Sequence, residues 1–137
     1  MISRPLPIKV LLIDDNSNLR FVLRMRLESL GFEVFEAQDG KTGVRLAKLH
    51  QPAVILLDFE MPGMDGLEAS SLLKENEMTR DIPIILLSSA PFEQNWVIQL
   101  NQIGVEAFLM KPYDFENLRK ILFRYLGYER DAGLDAG

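Results

Sequence analysis

The chain has 137 residues, 47% hydrophobic and 26% charged, with a formal net charge of −5, which suits one soluble globular domain with a sizeable core. No apolar run approaches the ~18 residues of a membrane span, residues 1–7 lack the features of a secretory signal, and without cysteine there is no disulfide or thiol chemistry. The acidic balance argues against direct nucleic-acid binding, which needs a basic footprint, and the cytoplasm is the default compartment.

The first β-rich run is 9–13, and it ends on Asp14-Asp15. A helical pattern follows, with Leu19, Val22, Leu23, Leu27 and Leu30 on one apolar stripe and Gly31 as the cap past its end. A short strand is predicted over 32–36. Asp39 is placed to cap a second helix running to about His50. The third apolar run, 53–57, ends on Asp58. Met61-Pro62-Gly63-Met64-Asp65-Gly66 is a turn by composition, and a third helix is expected over about 67–75. The fourth strand, 83–87, ends on Ser88-Ser89. The fourth helix, about 92–103, carries Phe92, Trp96, Leu100 and Ile103 on one stripe. The last strand, 107–110, ends on Lys111-Pro112. Asp114 caps a final helix with Leu118, Ile121, Leu122 and Tyr125 inward and Gly127 as its stop.

Strand and helix thus alternate as (βα) five times over. Strands separated by helices pair in parallel, because each crossover needs a helix. The first, third and fourth strands are apolar throughout, as expected when both faces of a sheet are covered. The expected fold is a single three-layer, doubly wound α/β domain. It would occupy 1–137 with a core of about 8–127; residues 128–137 are too few for a second domain.

The strand ends carry the chemistry. In open α/β sheets the ligand site lies beyond the carboxyl ends of the strands, at a topological switch point. If the first and third strands are neighbours, Asp14, Asp15 and Asp58 converge there, flanked by the Ser88 hydroxyl and the Lys111 ammonium. Two unit charges ~4 Å apart repel by about 4 kcal/mol at an effective dielectric near 20. Either the pKa values rise or a cation sits between the acids. Hard oxygen ligands without His or Cys suit Mg²⁺, with Mn²⁺ as its substitute. A carboxylate is also a competent nucleophile toward phosphorus, and a metal, a lysine and a hydroxyl are the groups that spread charge in phosphoryl transfer.

Asp14-Asp15, Asp58 followed by the 61–66 turn, Ser88 after an apolar strand and Lys111-Pro112 together resemble the receiver domain of two-component response regulators, the CheY-like family. The resemblance runs from about residue 9 to 127 and implies a flavodoxin-like parallel sheet with strand order 2-1-3-4-5. It implies that Asp58 accepts a phosphoryl group from a histidine kinase or phosphotransfer protein, a reaction the protein catalyses only upon itself. It implies that Asp15, Asp58 and the Glu60 backbone carbonyl ligate Mg²⁺, with Asp14 acting largely through water. It assigns Lys111 to a phosphoryl oxygen, Ser88 and Phe108 to the conformational switch, and a cis peptide to Lys111-Pro112. Partner binding, including self-association, would use the face made by the fourth helix, fifth strand and fifth helix.

Several residues have competing readings. Asp14 and Asp15 also suit the first turn of a helix, and Ser89 rivals Ser88 for the hydroxyl role. Glu60 departs from the commonest family pattern, and its side chain is placed to alter the lifetime of a phosphorylated state. Ile98 lies opposite the apolar stripe of the fourth helix, as a partner contact or a lone exposed isoleucine. His50 reads as a solvated surface residue, not a phosphodonor. A haloacid-dehalogenase-type phosphatase is the alternative enzyme, but here the acidic pair precedes the nucleophile and a second Asp is missing. A flavin carrier needs a Gly/Ser/Thr-rich phosphate loop where Asp14-Asp15-Asn16 stands.

Overall fold

The computed structural model describes residues 6–90 and 93–127. In chain order the elements are β1 (Lys9–Ile13), α1 (Ser17–Ser29), β2 (Glu33–Ala37), α2 (Gly40–His50), β3 (Val54–Asp58), α3 (Gly66–Glu75), β4 (Ile84–Ser88), α4 (Gln94–Ile103), β5 (Ala107–Met110) and α5 (Phe115–Tyr125). All strand pairs are parallel, in the order β2-β1-β3-β4-β5. The doubly wound sheet expected from the alternation is the sheet found.

Side chains alternate across a strand, so a fully apolar strand feeds two cores at once. Leu11, Ile13, Ile55, Leu57, Ile84 and Leu86 point to one face, where Ala47 of α2, Ala69 and Leu73 of α3 and Leu100 of α4 cover them. Val10, Leu12, Val54, Leu56, Ile85 and Leu87 point to the other, beneath Leu27 of α1 and Leu118 and Leu122 of α5. Each side is a helical layer over a shared sheet.

The caps behave as read. Asp39 accepts from Thr42 N at 2.7 Å, and Asp114 accepts from Glu116 N at 3.1 Å. Gly31 and Gly127 lie just past their helices at φ 96° and 80°, a left-handed conformation that glycine adopts without strain. At the end of the sheet away from the strand carboxyl termini, Lys74 donates to Glu106 at 3.0 Å and to the carbonyls of Arg80 and Ile82 at 3.1 and 2.9 Å. Glu106 in turn accepts from Ile84 N at 2.8 Å, which ties α3 to the starts of β4 and β5.

Three expectations need correction. The α1 stripe is not one buried face: Leu27 is buried and Leu23 partly so, but Leu19, Val22 and Leu30 are exposed. Leu19 and Val22 line an open groove of about 780 Å³ between α1 and α5, so the apolar band is wider than the surface the sheet offers it. His50 is not simply solvated, since its ring stacks on Phe35 with centroids 3.9 Å apart. Strands β2, β3 and β4 each begin and end one residue later than read, which makes Asp58 and Ser88 the last residues of their strands. In α4, Leu100 is buried and Trp96 and Ile103 partly so. Phe92, and the tail at 128–137, lie outside the described residues.

Candidate functional site

Parallel register decides which strand ends meet. Ile13 of β1 pairs with Leu57 of β3, so Asp14 and Asp58 come out of the sheet side by side. Asp58 pairs with Leu87 of β4, and Ser88 pairs with Met110 of β5, so Ser88 and Lys111 follow on the other side. Backbone bonds continue the pairing past the strands: Phe59 N to Leu87 O at 2.8 Å, and Lys111 N to Ser88 O at 2.6 Å.

One carboxylate oxygen from each of Asp14, Asp15 and Asp58 lies within 4.8 Å of the other two. Asp58 is only 4% exposed, while Asp15 is open to solvent. Lys111 Nζ reaches Asp58 Oδ1 at 3.1 Å and Asp14 Oδ2 at 3.6 Å. The Lys111-Pro112 peptide is cis, as expected. Burial and the neighbouring Asp14 charge push the Asp58 carboxyl up to about 6, although Lys111 pulls the other way. Burial works to lower the Lys111 ammonium, but the Asp14 and Asp58 charges outweigh it and hold it above its ordinary value.

The loops after the strands are built to hold this geometry. Asp14 Oδ1 accepts from Asn16 N at 2.9 Å, and Asn16 caps α1 through Asn18 N and Leu19 N. After Asp58 the chain turns through Gly63 at φ 85° and reaches α3, where Gly66 N donates to Phe59 O at 2.8 Å. A Cβ on Gly66 would sit 2.7 Å from Phe59 Cα, so only glycine lets α3 begin this close to β3. Asp65 caps α3 through Glu68 N at 2.9 Å.

Two contacts escaped sequence reading. The Glu60 carboxylate turns onto the end of β4: one oxygen binds the Ser88 hydroxyl, the other accepts from Ser89 N at 2.9 Å and Ser89 Oγ at 3.1 Å. Both serines therefore meet the same acid, although only Ser88 is fully buried. The hint in the sequence was the two-residue offset of Glu60 from a strand-end acid, opposite two serines ending the adjacent strand. Arg20 of α1 donates to the Asp14 carbonyl at 2.5 Å and to Glu36 at 3.1 Å, bracing the acidic loop; an arginine on a helix carries no signal for this.

Phe108 is partly buried and packs against the core on the α2–α4 side. The Phe59 ring, next to Asp58, lies 4.8 Å from Trp96 of α4. Ile98, on the same helix, is 48% exposed.

An all-oxygen donor set at this spacing, with a carboxyl forced upward by burial and by a like-charged neighbour, fits a small hard dication. A buried carboxylate between that position and a lysine is equipped to take a phosphoryl group.

Comparison with known proteins gives the same picture. The response regulator receiver domain family model matches residues 10–123. The Pseudomonas aeruginosa protein PilH is 34% identical over 114 residues, 83% of this chain and 93% of PilH. PhoB, the phosphate regulon transcriptional regulatory protein of the same organism, is 31% identical across 93% of this chain, which spans only 57% of PhoB. Among solved structures, Vibrio cholerae chemotaxis protein CheY4 superposes with a TM-score of 0.82 at 28% identity, over 88% of this chain and 99% of CheY4. The receiver domain of the P. aeruginosa sensor histidine kinase PA1611, with a magnesium ion coordinated in its active-site cleft, superposes with a TM-score of 0.80 at 31% identity, over 89% and 99% of the two chains.

Proposed function

The chain belongs to the response regulator receiver family of two-component systems, and on that footing we propose that Asp58 is its phosphoacceptor. Receiver domains are signalling domains rather than conventional enzymes; they bind Mg²⁺ in an acidic site and interact with histidine kinases or phosphotransfer proteins. The phosphatase alternative gains no support from the relatives described above.

One observation carries the assignment. Asp58 is a buried strand-end carboxylate whose oxygen meets the Lys111 ammonium at 3.1 Å and lies within 4.8 Å of Asp14 and Asp15 oxygens. An Asp58 oxygen attacks the phosphorus of a phosphohistidine. The new P–O bond forms as the P–N bond breaks, and the bonding pair leaves with the imidazole nitrogen. Hydrolysis resets the site: water attacks phosphorus, the aspartyl P–O bond breaks, the carboxylate is regenerated, and inorganic phosphate leaves with the protons of the water. Lys111 pairs with the phosphoryl oxygens, and Ser88 donates to the group once it is in place. Asp15, Asp58 and the Glu60 carbonyl would hold Mg²⁺, with Asp14 acting largely through water; Mn²⁺ is the substitute. Bound there, the ion supplies positive charge against the transferring oxygens.

Phe108 is the proposed aromatic switch, and the α4–β5–α5 face is the proposed partner and self-association surface. Ile98 of α4 and Met110 of β5 are exposed, which supports it. One receiver unit over 1–137 and a cytoplasmic address complete the proposal. Among the described residues no helix is long and apolar enough to cross a membrane.

The test is exposure to acetyl phosphate with and without Mg²⁺, read by intact mass. One phosphoryl group should appear only with the metal, and none in Asp58→Asn. Uptake without metal, or unchanged uptake in Asp58→Asn, would reject the assignment.

A further inference from the structure

Glu60 makes a set of contacts that phosphoryl transfer does not require. Its carboxylate takes the Ser88 hydroxyl on one oxygen and both the amide and hydroxyl of Ser89 on the other. A serine hydroxyl has one proton to give. Here that proton has two acceptors in reach, the Glu60 carboxylate and the Ala90 carbonyl at 3.0 Å. The charged acceptor is the stronger of the two. The donor that a phosphoryl group on Asp58 would recruit is therefore already engaged, by an acid two residues along from Asp58.

We propose that Glu60 is an off-state latch, holding Ser88 and Ser89 at the end of β4 in the unphosphorylated arrangement until a phosphoryl group on Asp58 displaces it. The inference rests on Asp58 being the phosphoacceptor, and extends that reading to how the switch is restrained. Electrostatics gives the release. A phosphoryl group brings about two negative charges and strong acceptor oxygens beside an existing carboxylate. Glu60 and the phosphoryl oxygens cannot both keep the Ser88 proton, and mutual repulsion favours the departure of the side chain that is free to swing into water. Glu60 is exposed, so that path is open. Releasing it frees Ser89 as well, so one displacement unfastens Glu60 from both serines.

The latch predicts that losing Glu60 makes switching easier, while a merely decorative surface contact predicts no change. Trp96 is the single tryptophan and sits against Phe59, between Asp58 and Glu60 in sequence, so its fluorescence reports on this region. Two measurements decide the matter. In the absence of any phosphodonor, the Ser89 amide should exchange roughly tenfold faster in Glu60→Ala than in the wild type, the scale of one lost charge-assisted hydrogen bond. Equal protection overturns the latch regardless of what Asp58 does.

With Mg²⁺ present, titration with beryllofluoride, a phosphoryl mimic, should reach half-response at roughly tenfold lower concentration in Glu60→Ala. That gain should be largely lost when Ser88→Ala is compared with the Ser88→Ala/Glu60→Ala double variant. No gain overturns the latch. A gain of the same size in both backgrounds also overturns it, because plain charge repulsion would then explain the effect. Intact mass after acetyl phosphate separates the two levels of the account. If the wild type gains no phosphoryl group, the Asp58 assignment fails and the latch falls with it; if the mass gain is present, a failed cycle removes the latch alone.

Discussion

At Asp58, burial and the Asp14 charge act together against Lys111. The carboxyl is pushed up to about 6, first by burial and then by Asp14. An acid whose folded-state pKa is raised stabilises the fold when protonated. That contribution is fully present below about pH 4 and is lost as pH rises through about 6. Without divalent cations the protein should therefore lose stability across this window, by on the order of 1 kcal/mol or more. Asp58→Asn should abolish most of that dependence and raise the melting temperature at pH 7.5. Thermal scans across pH with and without Mg²⁺ check this; a flat wild-type profile in chelator would contradict it. Lys111 acts on the same atoms from the other side. Replacing it by Met removes the cation 3.1 Å from Asp58 and should slow phosphoryl uptake by about a hundredfold, the scale of one lost transition-state donor. Uptake rates from a small phosphodonor would show it, and an unchanged rate would remove Lys111 from the site.

Elements show where sequence reading succeeds and where it stops. Strands β1, β3 and β4 and the caps at Asp39 and Asp114 were legible because composition and capping chemistry are local. The exposure of Leu19, Val22 and Leu30 was not, because spacing locates a stripe but not how much surface waits beneath it. The Glu60 contacts were hidden for a related reason: an i+2 offset places the residue, but only strand register shows what it faces. Gly66 is a backbone constraint next to the site. A methyl group there meets Phe59 Cα, so Gly66→Ala should cost about 1–3 kcal/mol through overpacking and backbone shift. A urea midpoint equal to the wild type would show that the α3 start yields more easily than its spacing implies.

For the molecule as a whole, the sheet order 2-1-3-4-5 turns residues far apart in sequence into one site. Asp14, Asp58 and Lys111 meet because β1, β3, β4 and β5 lie edge to edge in matched parallel register. Each of those residues ends or follows an apolar run, so the meeting was legible in the sequence once the first and third strands were taken as neighbours. The proposed output surface, the α4–β5–α5 face, rested on resemblance and on Ile98 alone. Ile98 is exposed on α4, the helix whose Trp96 meets Phe59, and is therefore placed to feel the state of Asp58. Ile98→Asp should weaken partner binding or self-association of the phosphorylated protein by about tenfold or more, the loss expected for truncating one interface anchor. Sedimentation of the beryllofluoride-bound protein gives the self-association arm, and unchanged association constants would move the partner surface elsewhere.

Chemistry at Asp58 is the claim on which the rest depends, and it can be read at a single residue. An acyl phosphate is reduced by borohydride, whereas a free carboxylate is not. After incubation with Mg²⁺ and acetyl phosphate, borohydride treatment and peptide mass analysis should find homoserine at position 58, and only when the metal is present. An unreduced Asp58 alongside a phosphoryl group carried elsewhere, or no phosphoryl group at all, would contradict the account.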